Sequence, residues 1–153
     1  MKHFYWERNK IFMLVKIATA PIELEAVYQI RSEVFVEEQN VPPEREIDEF
    51  DKTATHFIAY EDELPVAAAR LRFTEDGYGK LERICVLKSQ RGKSLGKKLM
   101  LKMEEEIKNR DFHKAKLNAQ THAQDFYQKL GYEVTSGEFL DAGIPHVTMV
   151  KYL

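Results

Sequence analysis

Residues 88–100, KSQRGKSLGKKLM, join the apolar, strand-like run LERICVL (81–87) to the striped stretch LGKKLMLKMEEEIKNR (95–110). A strand that passes through a basic, glycine-bearing loop into a helix offers a row of backbone N–H groups at the positive end of a helix dipole. That is a common way for a chain to hold phosphate. Three phosphate-binding patterns compete for the loop. Gly92-Lys93-Ser94 supplies the tail of the nucleotide P-loop, G-x-x-x-x-G-K-[ST], but its first glycine would fall on Leu87. No later apolar run ending in an acid offers a second magnesium ligand, which weakens a nucleotide hydrolase further. The dinucleotide fingerprint G-x-G-x-x-G also fails, because Gly92 and Gly96 leave its tight-turn place without a glycine. The third pattern, R-x-x-G-x-G/A, matches Arg91 to Gly96 apart from Ser94 at the first glycine. Here Gly92 lets the chain turn, Gly96 permits close approach of helix and ligand, and the main-chain amides hold a pyrophosphate. Lys88, Arg91, Lys93, Lys97 and Lys98 add positive potential. A solvated basic helix start that binds nothing is the plain alternative.

The rest of the chain sets bounds. Its 153 residues with 44% hydrophobic content suit one domain with one core. A net charge of −2, with both signs interspersed, gives no reason to expect nucleic acid or an anionic membrane as partner. Cys85 is the only cysteine, so neither an intrachain disulfide nor a cysteine-based zinc site can form, and a reducing, cytoplasmic setting fits. No apolar run approaches a membrane span. Nothing in the sequence implies a metal. The opening MKHFYWERNKIF has no clear period and lacks a signal peptide's apolar core. Residues 1–12 are expected to be an appendage, with Met13 as an alternative start, and residues 13–153 one domain; an N-terminal strand extension or helix cap is equally open.

Periodicity gives the elements. LVKIA reads as a strand. Pro21 suits a helix's first turn, and Leu24, Val27, Ile30 or Arg31, and Val34 carry the helix to about Val36. EEQNVPPEREIDEFDKT reads as a long acidic loop with at most a helical turn. THFIAY and LPVAAARLRF flank EDE as a hairpin, and GYGKLERICVL adds a third strand. Leu95, Leu99, Met103 and Ile107 stripe a helix to about Arg110. AKLNAQ is a strand, AQDFYQKLG a short helix closed by Gly131, and YEVTS and HVTMVKYL are strands joined by the loop GEFLDAGIP. The order β-α-β-β-β-α-β-α-β-β argues for an α+β or mixed α/β fold.

LERICVLKSQRGKSLGKKLM resembles the acetyl-CoA-binding motif of the GNAT N-acetyltransferase superfamily, and AQTHAQDFYQKLGYEV resembles its A-x-x-F/L-Y-x-K-x-G-F/Y segment. IRSEVFVEEQNVP and FLDAGIPHVTM are similar to the ElaA/YjcF-like branch. The match runs from about Leu14 to Leu153. It implies the GNAT-like acyl-CoA N-acyltransferase fold: a central mixed, mostly antiparallel sheet with a splayed pair of parallel strands, flanked by helices. Acetyl-CoA would lie in the splay as co-substrate. By the resemblance, its pantetheine amides pair with the backbone of Cys85, Val86 and Leu87, and its pyrophosphate with the amides from Gln90 through Arg91, Gly92, Lys93, Ser94 and Leu95 to Gly96. Gln120 and Phe126 flank the pantetheine. Gln120 stands where many relatives carry Asn, and the Cβ of Ser94 narrows the loop.

For chemistry, an amine attacking a thioester must be neutral, the developing oxyanion needs donors and the departing thiolate needs a proton. The resemblance places Tyr127 as the acid and the Val86 N–H as an oxyanion donor; without it, Tyr127 is a packed aromatic. Two groups are candidates for the base. Glu82 alternates with Ile84 and Val86 onto one strand face and would act through water, unless it is an ion pair with Arg83 or Arg70. Many relatives place their acid two residues earlier, at Lys80. His146 is the other, since an imidazole titrates near neutrality. Arg31, Glu38, Gln39, Glu44, Glu46, Asp48, Glu49 and Asp51 are expected to line the acceptor side, where a carboxylate-rich mouth draws a cationic amine; a solvated acidic loop is the alternative. Cys85 mid-strand is expected to be buried and inert. The resulting expectation is transfer of acetyl from acetyl-CoA to an amine, small or on a protein, in a ternary complex, by a monomer or homodimer. The alternative is an acyl-CoA-binding sensor or partner module without efficient turnover.

Overall fold

The computed structural model describes residues 12–153. The appendage expected at residues 1–12 lies outside them, apart from Phe12, whose N–H and C=O both bond Asp62. Strand β1 (Met13–Ala18) leads into helix α1 (Pro21–Arg31). Pro21 sits in α1's first turn, and Oε1 of Glu23 accepts from the N–H groups of Thr19 and Ala20. That satisfies donors which the start of a helix leaves orphaned. The helix does not stop near Val36. It continues as a π-wound turn over Ser32–Glu38, which ends with the Gln39 N–H on Val34 O at 3.1 Å. The wider coil carries Glu38 to Arg91 and Gln39 to Gln120.

A short turn, α2 (Pro43–Glu46), precedes the hairpin of β2 (Thr55–Glu61) and β3 (Leu64–Phe73). Asp62 and Glu63, both at positive φ, make its two-residue turn. The run of small residues in β3 is a packing device. Ala67 and Ala69 face one apolar cluster and Ala68 the other, all fully buried, so helices approach both sides closely. β4 (Gly79–Val86) follows, then α3 (Leu95–Asn109) and β5 (Lys114–Gln120). Leu95, Leu99, Met103 and Ile107 are buried on the sheet, as their spacing predicts. Burying each such side chain contributes roughly 1.5–3 kcal/mol. A Cβ on Gly79 would stand 2.4 Å from Ile107 Cγ1, so glycine alone lets α3 seat there.

Helix α4 (Gln124–Lys129) ends at Gly131 (φ +98°) with the Tyr132 N–H on Tyr127 O and the Gly131 N–H on Gln128 O. This is a Schellman closure, as the glycine foretells. β6 (Glu133–Val134) and β8 (Ile144–Tyr152) are the predicted final strands. The segment read as a loop between them also holds β7 (Phe139–Asp141), which pairs with β8 through a tight turn at Ala142-Gly143. The sheet order is β1-β2-β3-β4-β5-β8-β6, with β7 on β8. All pairings are antiparallel except β4 with β5. No helix among the described residues is long and apolar enough to cross a membrane.

Candidate active site

The parallel strands β4 and β5 pair only at Gly79–Ala115 and Lys80–Lys116. Beyond Lys80 they diverge and open a cleft of about 1070 Å³. Its walls are the end of β4, the Gln90–Lys97 loop, the π-wound turn, the end of β5, and α4. A splayed edge leaves backbone groups that need partners. The Leu87 N–H is spent on Val66 O at 2.9 Å, so by antiparallel alternation Cys85 also turns its backbone toward β3. Of the three residues expected to pair with pantetheine, only Val86 faces the opening. Its carbonyl accepts from Arg91 Nε at 3.1 Å.

The loop has the form of an anion cradle. Gly92 and Ser94 both hold positive φ, +84° and +63°, so Ser94 adopts the left-handed conformation that makes glycine usual there. The first bond of α3 runs from the Lys98 N–H to Ser94 O at 3.1 Å. The N–H groups of Gly92 through Lys97 meet no protein acceptor among the described residues. The Gln90 N–H, by contrast, is used on Leu87 O, so the cradle begins later than expected. Leu95 contributes through its backbone, since its side chain is core. Lys93 turns away to Glu61 and the Gln90 side chain. Arg91 crosses the mouth to Glu38 with two bonds of 2.7 Å. At Gly96 the close approach is that of the Phe126 ring, 3.3 Å from where a Cβ would stand.

Tyr127 lines the cleft, its ring edge-on to Phe126 and to Tyr132. Burial, then the neighbouring Cys85, pushes its phenol up to about 12, so it keeps its proton through the neutral range. Cys85 is buried, its thiol donates to Ala68 O, and burial pushes it up to about 12, so it is inert as expected. Gln120 already bonds within the protein: its amide donates to Gln39 Oε1 at 2.9 Å and its oxygen meets His122 Nε2 at 2.6 Å, which leaves one amide N–H and one oxygen lone pair for a ligand. These bonds tie the end of β5 to the π-wound turn. His146, opposite Gln120 in the ladder, has Nδ1 2.6 Å from Ile144 O. A carbonyl only accepts, so Nδ1 donates this bond, and in a neutral imidazole Nε2 is the ring nitrogen left with the lone pair; the residue lines the cleft.

Two expectations are corrected. The first is that Glu82, Ile84 and Val86 share a strand face. Arg83 takes φ +54° and the register slips between Ala68 and Arg70, a bulge with Arg83 and Ile84 opposite Ala69. Glu82 therefore lies with Arg70 on the α1 side, while Ile84 and Val86 pack on the α3 side. Its partners are Arg70 and Arg72. The second is that the acidic segment is an open, amine-attracting mouth. Arg31, fully buried, binds Glu46 at 2.7 Å and Asp51 at 2.6 Å; Arg70 binds Asp48 and Asp51; Arg83 binds the Glu46 carbonyl and Asp48. These acids are counter-ions that clamp the segment onto β3 and β4. Burial opposes ionisation at Asp51 and Asp48, but the guanidinium bonds outweigh it and hold both below the ordinary carboxylate range. His56 is buried, with Nε2 2.8 Å from Asp51 O.

A splayed parallel pair beside a loop of unpartnered N–H groups at a helix start is the arrangement expected of the acyl-CoA N-acyltransferase class. The family model described as Acetyltransferase (GNAT) domain matches residues 19–153, and the chain belongs to that family, in its ElaA/YjcF-like branch. YjcF of Bacillus subtilis, described as an uncharacterized N-acetyltransferase, is 49% identical over 140 residues, 91% of this chain and 99% of YjcF. The crystal structure of Escherichia coli ElaA superposes with a TM-score of 0.80 at 30% identity, covering 93% of this chain and 99% of that one. An acyl-CoA N-acyltransferase from Pseudomonas aeruginosa gives 0.81 at 29% identity, with 93% and 99% covered. Membership supports N-acetyltransferase activity in general, with acetyl-CoA as the family's co-substrate and an amine as acceptor.

Proposed function

We propose that this chain transfers the acetyl group of acetyl-CoA directly to an amine, with both substrates bound together in the β4–β5 splay. The observation that carries the reading is the row of unpartnered N–H groups from Gly92 to Lys97, set beside the open edge of Val86. Acetyl-CoA supplies an activated thioester, and the chain supplies position and protons. The cradle and the dipole of α3 take the pyrophosphate. The backbone of Val86 faces the acyl end, its N–H placed to donate to charge that develops on the carbonyl oxygen. His146 Nε2 takes the proton from the attacking amine. Tyr127, kept protonated by burial, gives its proton to the departing sulfur. Glu82 is left to structure, because both of its oxygens already hold guanidinium groups. A reducing, cytoplasmic setting agrees with the buried free thiol of Cys85.

The test is release of free thiol from acetyl-CoA across a panel of primary amines, with mass detection of the acetylated product. Amine-dependent release supports the transferase. Acetyl-CoA binding without release under any amine supports the sensor reading instead.

A further inference from the structure

The acceptor half of the cleft has an uneven charge. Three of the carboxylates lining it are already neutralised: Glu46 by Arg31, Glu82 by Arg70 and Arg72, and Glu38 by Arg91. The fourth, Asp141, is exposed at the rim. Lys80 is the opposite case. It lines the same cleft where β4 and β5 part, is half-buried, and its ammonium makes no hydrogen bond or ion pair among the described residues. Its neighbours across the ladder are Arg72 on β3 and Lys116 on β5, which deepen the positive potential. Asn118 lines the cleft from the next strand. Burial lowers the Lys80 pKa; Glu82 pulls the other way, and Arg72, Lys116 and Arg70 lower it further. A half-buried ammonium without a counter-ion is destabilised, and an incoming anion relieves it.

We propose that Lys80 is the counter-ion for a carboxylate on the acceptor, so that the amine acetylated belongs to an amino acid-like molecule rather than to a simple cationic amine. This rests on the acyltransfer reading above. A single ammonium balances a single negative charge, which suits a carboxylate better than a phosphate of charge about −1.5 to −2. Carboxylate bound at the splay also fixes the amine close to the acyl end of the cleft, the orientation that direct attack needs.

The experiment compares amino acids with the amines left by their decarboxylation, in wild type, Lys80→Met and Lys80→Arg. Acetyl-CoA affinity is measured alongside by calorimetry. The expected result is at least about tenfold higher kcat/KM for the carboxylate-bearing member of a pair. Lys80→Met should raise KM for that member about 10- to 100-fold with kcat little changed, and leave its decarboxylated partner unaffected. Lys80→Arg should restore most of the loss. Equal use of both members, or no use of any amino acid while acetyl-CoA binds, overturns the inference and leaves acetyl-CoA binding standing. A fall in kcat for both members in Lys80→Met also overturns it, because that result makes Lys80 a proton acceptor. Failure to bind acetyl-CoA removes the acyltransfer reading and this inference together.

Discussion

Arg70 donates Nη2–H to Oε2 of Glu82 at 3.0 Å, and Arg72 holds the other carboxylate oxygen through Nε. A proton taken by Glu82 would weaken two charge-assisted bonds, which argues against its use as the base. Glu82→Gln should cost about 2–4 kcal/mol of stability, read from a denaturant melt, with kcat per folded molecule within about threefold of wild type. His146→Gln should do the reverse, lowering kcat about 10²- to 10⁴-fold with a smaller loss of stability than Glu82→Gln, since its ring is buried against Phe139 but carries no ion pair. A collapse of kcat in Glu82→Gln alone would exchange the two roles.

Tyr127→Phe should lower kcat about 10- to 1000-fold and leave acetyl-CoA affinity within about twofold, because the hydroxyl acts on the leaving thiolate rather than on binding. Because burial raises the phenol to about 12, the folded chain keeps this proton where an exposed tyrosine, at about 10, loses it. The pH–rate profile should therefore show no fall near pH 10 that Tyr127→Phe removes. Such a fall would place the hydroxyl in water.

How far the sequence could be read depended on whether periodicity alone decides a feature. The stripe of Leu95, Leu99, Met103 and Ile107 and the closure at Gly131 are local, and each appears where it was expected; the loop before α3 also turns at Gly92, but its unpartnered N–H groups begin after Gln90. The facing of Glu82 was not legible, since a bulge at Arg83 shifts the alternation and no glycine or proline marks it. Nor was the fate of the acidic segment. Its partners Arg31, Arg70 and Arg83 come from a helix and two strands that only the fold brings together. Strand β7 escaped because three residues carry no readable period.

Ser94→Gly tests the cradle. Ser94 holds φ +63°, a conformation that costs a residue with a Cβ about 1–2 kcal/mol and glycine far less. Offset by the larger unfolded-state entropy of glycine, the exchange should stabilise the chain by about 0.5–1 kcal/mol and keep acetyl-CoA affinity or improve it. Loss of affinity would mean that the Ser94 side chain itself contacts the phosphates.

The arginine–carboxylate clamp sets the acid limit. Asp48 and Asp51 are held below the ordinary range in the fold, whereas the unfolded chain takes protons at them near pH 4. Their contribution is therefore full above about pH 4 and is lost as pH falls further, through their folded values. Denaturant midpoints should decline modestly below about pH 6.5, where the unfolded chain protonates His56 while burial keeps its imidazole neutral in the fold, and should drop steeply below pH 4. Arg31→Met should cost about 3–5 kcal/mol at pH 7 and flatten that drop, since it removes the partner that depresses Asp51. An unchanged acid slope would dissociate the clamp from acid stability.

The most direct measurement is calorimetric titration of the purified chain with acetyl-CoA, with ATP and magnesium as the control. Saturable micromolar binding of one acetyl-CoA per chain, and none of ATP, is the predicted result: the Gly92–Lys97 cradle holds the pyrophosphate of CoA. Absence of acetyl-CoA binding well above micromolar concentration, or tighter binding of ATP, would contradict it.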